Sequence, residues 1–348
     1  MSEPEISVVI SAKNRVSMLF DCFRGLSEQT LGRDRFEVVL IDNMSADPLE
    51  VVADRAREEL GLTLRDARTS EDHGPAPARN FGVSLAKAPI IAFTDSDCRP
   101  DPRWLEAGLA AFADSSVVMV TGPVLPKPGQ PVKPTSKLNF TAVEHPTFPT
   151  ANAFYRRTVF EANGGFDTSL SFSDMFHRTV ECADVDLAWR IIKAGHHRRF
   201  LPEAVVFHEV QDLGLRGWLL EPTHLFLVPA LVRRHPELRS QLLTAGLFFH
   251  PAGWLLYTAL VVLFLGIALD SRLLLLLPVM LIVHAAHRIR HLRPHELVLV
   301  AHGVNRSRSL RPFPLLRFCA RTLLHLPRML VMNLVLLYGS VRFRCLVL

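Results

Sequence analysis

The chain has 348 residues, enough for one sizeable α/β domain and an appendage. Its net charge of +5 is unevenly spread: charges are mixed up to about Val210, whereas beyond Arg288 a series of arginines (Arg288, Arg290, Arg293, Arg306, Arg308, Arg311, Arg317, Arg321, Arg328, Arg342, Arg344) stands against a lone Glu296. These arginines lie among Leu, Val and Met without aromatic stacking platforms, which argues against nucleic acid and points to the cytoplasmic face of a membrane.

The five cysteines (Cys22, Cys98, Cys182, Cys319, Cys345) form no Cys-x-x-Cys pair. That spacing disfavours a disulfide framework or a zinc site and suits a reducing compartment. Met1 to Ile10 carries acids and a proline where a signal peptide would carry base, so the N-terminal domain is expected in the cytosol.

Strand and helix signals alternate along the first half. Ile6–Ser11 reads as a strand, Val16–Glu28 as a helix, Phe36–Ile41 as a strand, Val51–Leu60 as a helix and Leu62–Asp66 as a weaker strand. Ala76–Ala86 reads as a helix after Gly74-Pro75, and Ile90–Phe93 as an apolar strand. Strands separated by helices of this length imply βαβ units and a mainly parallel sheet. Gly122 to Pro149, rich in proline and glycine, reads as a loop or crossing segment. Ala151–Tyr155 resumes a strand, Thr158–Asn163 a short helix, Ala183–Gly195 a longer one, and Ala204–Phe207 a last strand. His196-His197-Arg198-Arg199 reads as a basic turn.

Composition then changes. Leu242–Leu269 has no Lys, Arg, Asp or Glu and is long enough to cross a bilayer, and Leu273–His287 is again uncharged but short. The two suggest a hairpin around Asp270-Ser271-Arg272, or else a buried helical pair. In Arg317–Val341, Arg317, Arg321, His325 and Arg328 share one helical face, the pattern of a helix lying in the membrane interface.

Acids fall where strands end. In open α/β sheets ligands bind outside the carboxyl ends of the strands. Thr94-Asp95-Ser96-Asp97 follows the apolar run to Phe93, so both carboxylates can approach one diphosphate-bound cation; a solvated turn gives the same letters. Asp42 closes the second strand, placed to accept hydrogen bonds from a base or ribose. Asp184 opens a helix, where an ordinary helix cap is the simpler account. There is no Gly-x-Gly-x-x-Gly after the first strand, no Walker A loop and no His-Glu-x-x-His, which disfavours dinucleotide, phosphate-loop and zinc-protease chemistry.

Taken in order, Val8-Val9-Ile10 with Asn14, Ile41-Asp42 with Ser45, Gly74-Pro75-Ala76-Pro77-Ala78-Arg79-Asn80 and Phe93-Thr94-Asp95-Ser96-Asp97 resemble a family 2 glycosyltransferase of GT-A type fold. Gly164-Gly165-Phe166-Asp167 and Ala183-Asp184-Val185-Asp186-Leu187-Ala188-Trp189-Arg190 are similar to that family's acceptor-side region, so the resemblance runs from about Ile6 to His208. It implies an α/β, GT-A type (Rossmann-like), mainly parallel sheet flanked by helices, with C-terminal hydrophobic helices in addition. It further implies a nucleotide-sugar donor contacted by Asn14, Asp42, Ser45, Arg79 and Asp95. A divalent cation, Mg²⁺ or Mn²⁺, would be held by Asp97 with Asp95 and, as in some relatives, His208; a satisfied histidine at a strand end is the other reading of His208. Asp184 would be the general base of an inverting transfer to a hydroxyl. The family usually has Glu before that aspartate; here the position is Ala183, and Glu181 lies three residues upstream. The Gln-x-x-Arg-Trp motif of processive synthases is missing, so transfer of single sugars is expected.

The expected organisation is a catalytic domain at 1–215, a helical linker at 216–241, a membrane-embedded hairpin at 242–287 and a basic segment with an interfacial helix at 288–348. Such a protein would sit at the cell membrane with its catalytic domain in the cytosol, facing a lipid-linked or cell-envelope glycan acceptor. Two other functions fit parts of the pattern. One is a catalytically silent nucleotide-sugar-binding or assembly protein, suggested by Ala183 and the tail. The other is a nucleotidyltransferase, which would want a glycine-rich loop where Ser11-Ala12-Lys13-Asn14-Arg15 has none.

Overall fold

The computed structural model describes residues 3–348 except 73, 175, 177–178, 252, 281, 285 and 287–313; the side chains of 314–324 also fall outside the description. The arginine run from Arg288 to Arg311 and the side chains of Arg317 and Arg321 therefore lie outside the described residues. The chain divides into two compact units, one of residues 1–130 and 138–211, the other of 131–137 and 212–348.

In the first unit the expected alternation is realised: β1 (Ile6–Ala12), α1 (Val16–Ser27), β2 (Phe36–Asp42), α2 (Glu50–Leu60), β3 (Leu64–Arg68), α3 (Pro75–Leu85) and β4 (Ile90–Phe93). Then come β5 (Cys98–Pro100), α4 (Trp104–Ala111), β6 (Val117–Thr121), β7 (Val124–Pro126), β8 (Ala153–Arg156) and α5 (Arg157–Ala162). The hairpin β9 (Ser171–Ser173) and β10 (Thr179–Glu181) leads into α6 (Ala183–Lys193), β11 (His197–Phe200) and β12 (Val206–His208).

Seven strands form one sheet in the order β11-β6-β8-β4-β1-β2-β3. Neighbours run parallel except β8, which is antiparallel to both β4 and β6. β2 and β4 are buried along their whole length, as strands covered on both faces must be. Helix α3 lies close on the sheet because Gly82 has no side chain; a Cβ there would come within 2.5 Å of Val9 Cγ1. The carboxylate that Glu37 carries into the sheet is fully satisfied. Buried Glu37 accepts from Ser7 Oγ (2.7 Å), the Lys87 amide (2.7 Å) and Arg65 Nη2 (2.9 Å).

A second, three-stranded sheet, β5-β12-β7, decides where the site forms. β12 pairs antiparallel with β5, so that His208 lies opposite Cys98. Buried Asn152 holds this corner. It accepts from Trp104 Nε1 (2.8 Å) and donates to the carbonyls of Pro123 (2.8 Å) and Ala204 (2.7 Å), tying α4 to the approaches of β7 and β12.

Several sequence expectations change. The weak third strand sits two residues later than its apolar residues suggested. The 122–149 segment is not all loop but contributes β7, and α4 and β6 were not anticipated. The basic turn at His196–Arg199 is largely strand: His197–Phe200 is the exposed edge strand β11, where charge is the usual protection of an unpaired edge.

In the second unit the charge-free stretch 242–269 is not one helix. It ends the short helix Leu238–Leu242, turns at Ala245 (φ 53°) and Gly246 (φ 67°), and passes Pro251 before a 16-residue helix, Gly253–Ala268. Proline lacks the amide a helix interior needs. The remaining helix is about 24 Å long, against a hydrocarbon core of about 30 Å. The terminal segment is helical over Pro314–Phe343, and its portion His325–Phe343 is the one helix among the described residues long and apolar enough to cross a membrane. The face expected to lie free in an interface instead packs within the unit at its described end. His325 meets Trp218 at 4.8 Å between centroids, and Arg328 donates to Glu221 Oε2 (2.6 Å) while lying over the Trp218 ring.

Candidate functional site

β4 ends at Phe93, and the chain turns through Asp95 and Asp97 into β5; the Cys98 amide donates to the Asp95 carbonyl at 3.0 Å. Directly opposed residues on antiparallel strands present their side chains on one face. His208 is thereby brought onto the acids, and the Glu209 amide donates to the Asp97 carbonyl at 3.0 Å. One ligand atom each from Asp95, Asp97, Cys98 and His208 falls within 4.8 Å of the others.

His208 is oriented as a ligand would be. With Nδ1 donating to the Glu209 carbonyl (2.9 Å), the Nε2 lone pair faces Asp97 Oδ1 at 3.4 Å and receives the Asn139 amide at 2.7 Å. Two carboxylates and an imidazole fit a divalent cation such as Mg²⁺ or Mn²⁺. Asp97 is buried and already neutralised: its Oδ2 accepts from the Arg15 guanidinium and from Gln211 Nε2 (3.2 Å). Burial, reinforced by the Asp95 and Asp97 charges, pushes the Cys98 thiol well above its ordinary pKa.

Beside this cluster the loops after β1 and β2 hold one another. Asn14 takes a left-handed conformation (φ 55°), which asparagine tolerates, and its Oδ1 accepts from the Ala46 amide at 2.6 Å. Its own amide donates to Ser45 Oγ at 2.9 Å. Asp42 accepts from the amides of Ser45 (2.8 Å) and Leu49 (3.2 Å), with Arg68 Nη1 3.6 Å away. Asp42 thus first shapes its own loop, whatever it adds toward a ligand. Arg79, on α3, donates to Asp95 Oδ1 at 2.8 Å and links this rim to the acids.

The third side of the site comes from α6. Cys182 occupies the helix cap, so Asp184 lies inside the first turn and is not the cap. Its carboxylate is half-buried and accepts from the Val185 amide at 2.8 Å. Burial raises its pKa; the Val185 bond and the Arg79 charge oppose the rise, and the Asp95 charge adds to it. Asp184, Arg79 and Asp95 therefore act on one another across one rim. The segment before α6 is clamped: Arg190 Nη2 donates to the Gly165 carbonyl (2.6 Å), and Asn80 both accepts from the Phe166 amide (3.0 Å) and donates to its carbonyl (2.8 Å).

Glu181 reaches in from β10, and its Oε2 accepts from the Ala76 amide at the N-terminus of α3 (2.8 Å). Oε1 is buried and makes no hydrogen bond among the described residues. Burial raises its pKa to about 7, with Arg79 and the Ala76 bond pulling the other way. Folding therefore holds a proton on Glu181 above the ordinary carboxylate range. The stability this contributes is complete below about pH 4.5, the unfolded value, and is lost as pH rises through about 7. Glu181→Gln is expected to be more stable than wild type at pH 8, by at most about 3 kcal/mol, with the difference gone near about pH 4. Urea midpoints at the two pH values measure this; equal midpoints at pH 8 would show that burial does not raise the pKa of this carboxyl.

The structure thus gathers Arg79, Asp95, Asp97, Asp184 and His208 on one rim, with Asn14, Asp42 and Ser45 on the adjoining loops. The sequence reading did not single out Arg15, Gln211, Cys98 or Asn139. Arg15 and Cys98 directly follow residues it did single out, Gln211 lies three beyond His208, and Asn139 carries no local signal at all.

Residues 7–169 match the family model for Glycosyl transferase family 2. The chain is 26% identical over 222 residues to "Glycosyltransferase AglE" of Haloferax volcanii, an alignment covering 61% of this chain and 69% of that protein. It is 29% identical over 262 residues to "Pre-mycofactocin glycosyltransferase" of Mycobacterium tuberculosis, covering 70% of this chain and 51% of that protein; the chain spans about half the length of this relative. Among solved structures, mannosyltransferase PcManGT from Pyrobaculum calidifontis, in complex with GDP-Man and Mn²⁺, superposes with a TM-score of 0.57 at 21% identity over 99% of this chain and 88% of that one. That likeness identifies the fold as GT-A.

Proposed function

We propose, on the premise that residues 7–169 form a family 2 glycosyltransferase domain, that the protein moves a sugar from a nucleotide-sugar donor to a hydroxyl acceptor with inversion at the anomeric carbon. The observation that supports this most is the convergence of acids from distant parts of the chain, Asp95, Asp97 and Asp184, on one rim beside Arg79.

Asp95, Asp97 and His208 would hold Mg²⁺ or Mn²⁺, as their donor chemistry allows; a structural neighbour was solved with GDP-Man and Mn²⁺. When bound, the ion offsets the charge gathering on the departing diphosphate. Every other contribution comes from side chains. Asn14, Asp42 and Ser45 shape the loops that receive the nucleoside, and Arg79 holds Asp95 in place. Asp184 takes the proton from the acceptor hydroxyl, and its raised pKa brings it nearer the working pH, where a general base is most effective. One base and direct in-line displacement give inversion.

The acceptor is proposed to be lipid-linked and met at the cytosolic face of a membrane. The apolar helix His325–Phe343 supports this, as do exposed Phe264, Ile267, Leu275 and Ile282 in the second unit. The test is transfer of radiolabelled sugar from a panel of UDP-, GDP- and dTDP-sugars into a membrane extract, with and without Mn²⁺. Label should enter the lipid-extractable fraction from one donor. No incorporation from any donor rejects the reading.

A further inference from the structure

Cys98 is a free, fully buried thiol, and its sulfur belongs to the same cluster as the carboxylates and imidazole. Hard cations take oxygen and have little use for a thiolate, whereas Zn²⁺, Co²⁺ and Cd²⁺ accept sulfur, nitrogen and oxygen together. In a tetrahedral site of ordinary bond lengths the ligand atoms lie about 3.3–3.8 Å apart. The four donors here lie within 4.8 Å of one another, so movements of about 1 Å close such a site. The register of β5 against β12 makes the grouping a property of the fold, because Cys98 and His208 are direct partners across it.

We propose that Cys98 turns this cluster into a binding site for thiophilic divalent ions. Zn²⁺ is held by Cys98 Sγ, His208 Nε2 and one oxygen each from Asp95 and Asp97, with the Arg15 guanidinium displaced from Asp97 and the Asn139 amide from Nε2. The thiol releases its proton to solvent as the metal–sulfur bond forms, and nothing is oxidised or reduced. Four protein ligands close the coordination shell, so no position is left for a diphosphate oxygen, and thiophilic ions act as inhibitors. The inference rests on the reading of these acids as a cation site.

Two measurements on the full chain test it without recourse to sugar transfer. Titration with Co²⁺ should give a thiolate-to-metal charge-transfer absorption, and competition against a chromogenic chelator gives the Zn²⁺ affinity. Cys98→Ser should lose the absorption and bind Zn²⁺ at least about tenfold more weakly, with Mn²⁺ affinity changed less than about threefold. Cys22→Ser, which alters a buried thiol outside the cluster, should keep both signals. A charge-transfer band that survives Cys98→Ser, or equal Zn²⁺ affinity in the two proteins, overturns the proposal. Should Cys98→Ser fail to fold, His208→Gln carries the Zn²⁺ test from the opposite strand, and unchanged affinity there overturns it equally. Failure of the transferase reading would appear as no sugar incorporation with the cobalt band intact.

Discussion

Asp184→Asn is expected to lower the rate of sugar transfer by about 10²–10⁴-fold, the usual effect of losing a positioned general base. The change is nearly isosteric, so the Val185 amide keeps an acceptor and α6 keeps its first turn. What disappears is the ability to take a proton. Donor binding, read as the shift in melting temperature with nucleotide sugar, should survive, because the proposed donor contacts come from other residues and Asp184 acts on Arg79 and Asp95 through electrostatics. The pH–rate profile separates this role from a structural one. In the wild type, activity should rise with pH as Asp184 loses its proton, at a pH above the ordinary aspartate range; in the variant that limb should vanish. Turnover within about tenfold of wild type, with the limb retained, would rule out Asp184 as the base.

Asp97→Asn is expected to be as damaging for a different reason. Asp97 is buried and carries three partners, Arg15, Gln211 and His208, so its neutralisation leaves the Arg15 guanidinium facing an amide and removes charge from the candidate ion site. A Lewis-acid contribution of several kcal/mol corresponds to a loss of about 10³-fold or more in transfer. Raising Mn²⁺ should not restore the rate, and the stabilisation that Mn²⁺ gives the wild type in a melting experiment should be lost. Wild-type activity that is indifferent to chelator would exclude this role, and would leave Arg15 as the positive charge at the site.

Much of the domain was legible because long apolar runs and helical spacing leave few alternatives. β1, α1, β2, α2, α3 and β4 lie within a residue or so of their expected places, since each buries a continuous stripe or face. What escaped has a physical pattern. β5 and β7 are three residues each, too short to show a period; a last strand near β12 was expected, but nothing local announced that it would bring His208 opposite Cys98. The strand at 153–156 was expected, but nothing local announced that it would run antiparallel between β4 and β6. Composition was silent on the break inside the apolar stretch. A stretch free of charge from Leu242 to Leu269 satisfies a length rule for membrane crossing, but it contains Pro251 and a left-handed turn at Ala245-Gly246 that break the backbone ladder. The family-matched stretch ends at residue 169, before Asp184 and His208. Asp184 stood out at a helix start, but its role as base and the place given to His208 came from the resemblance, and the β12 register explains why His208 arrives where it does.

The opposition of His208 and Cys98 has a further consequence for how the molecule is assembled. The acids emerge early in synthesis and the histidine much later, so the candidate cation site becomes complete only when β12 has docked against β5. Contacts of such large sequence separation are slow to form, because chain entropy must be overcome before they contribute. An ion bound there at a hundred times its dissociation constant would add about 2.7 kcal/mol to the closed arrangement. Divalent ions would then act on maturation as well as on turnover, fastening a late-made strand to a turn made well before it.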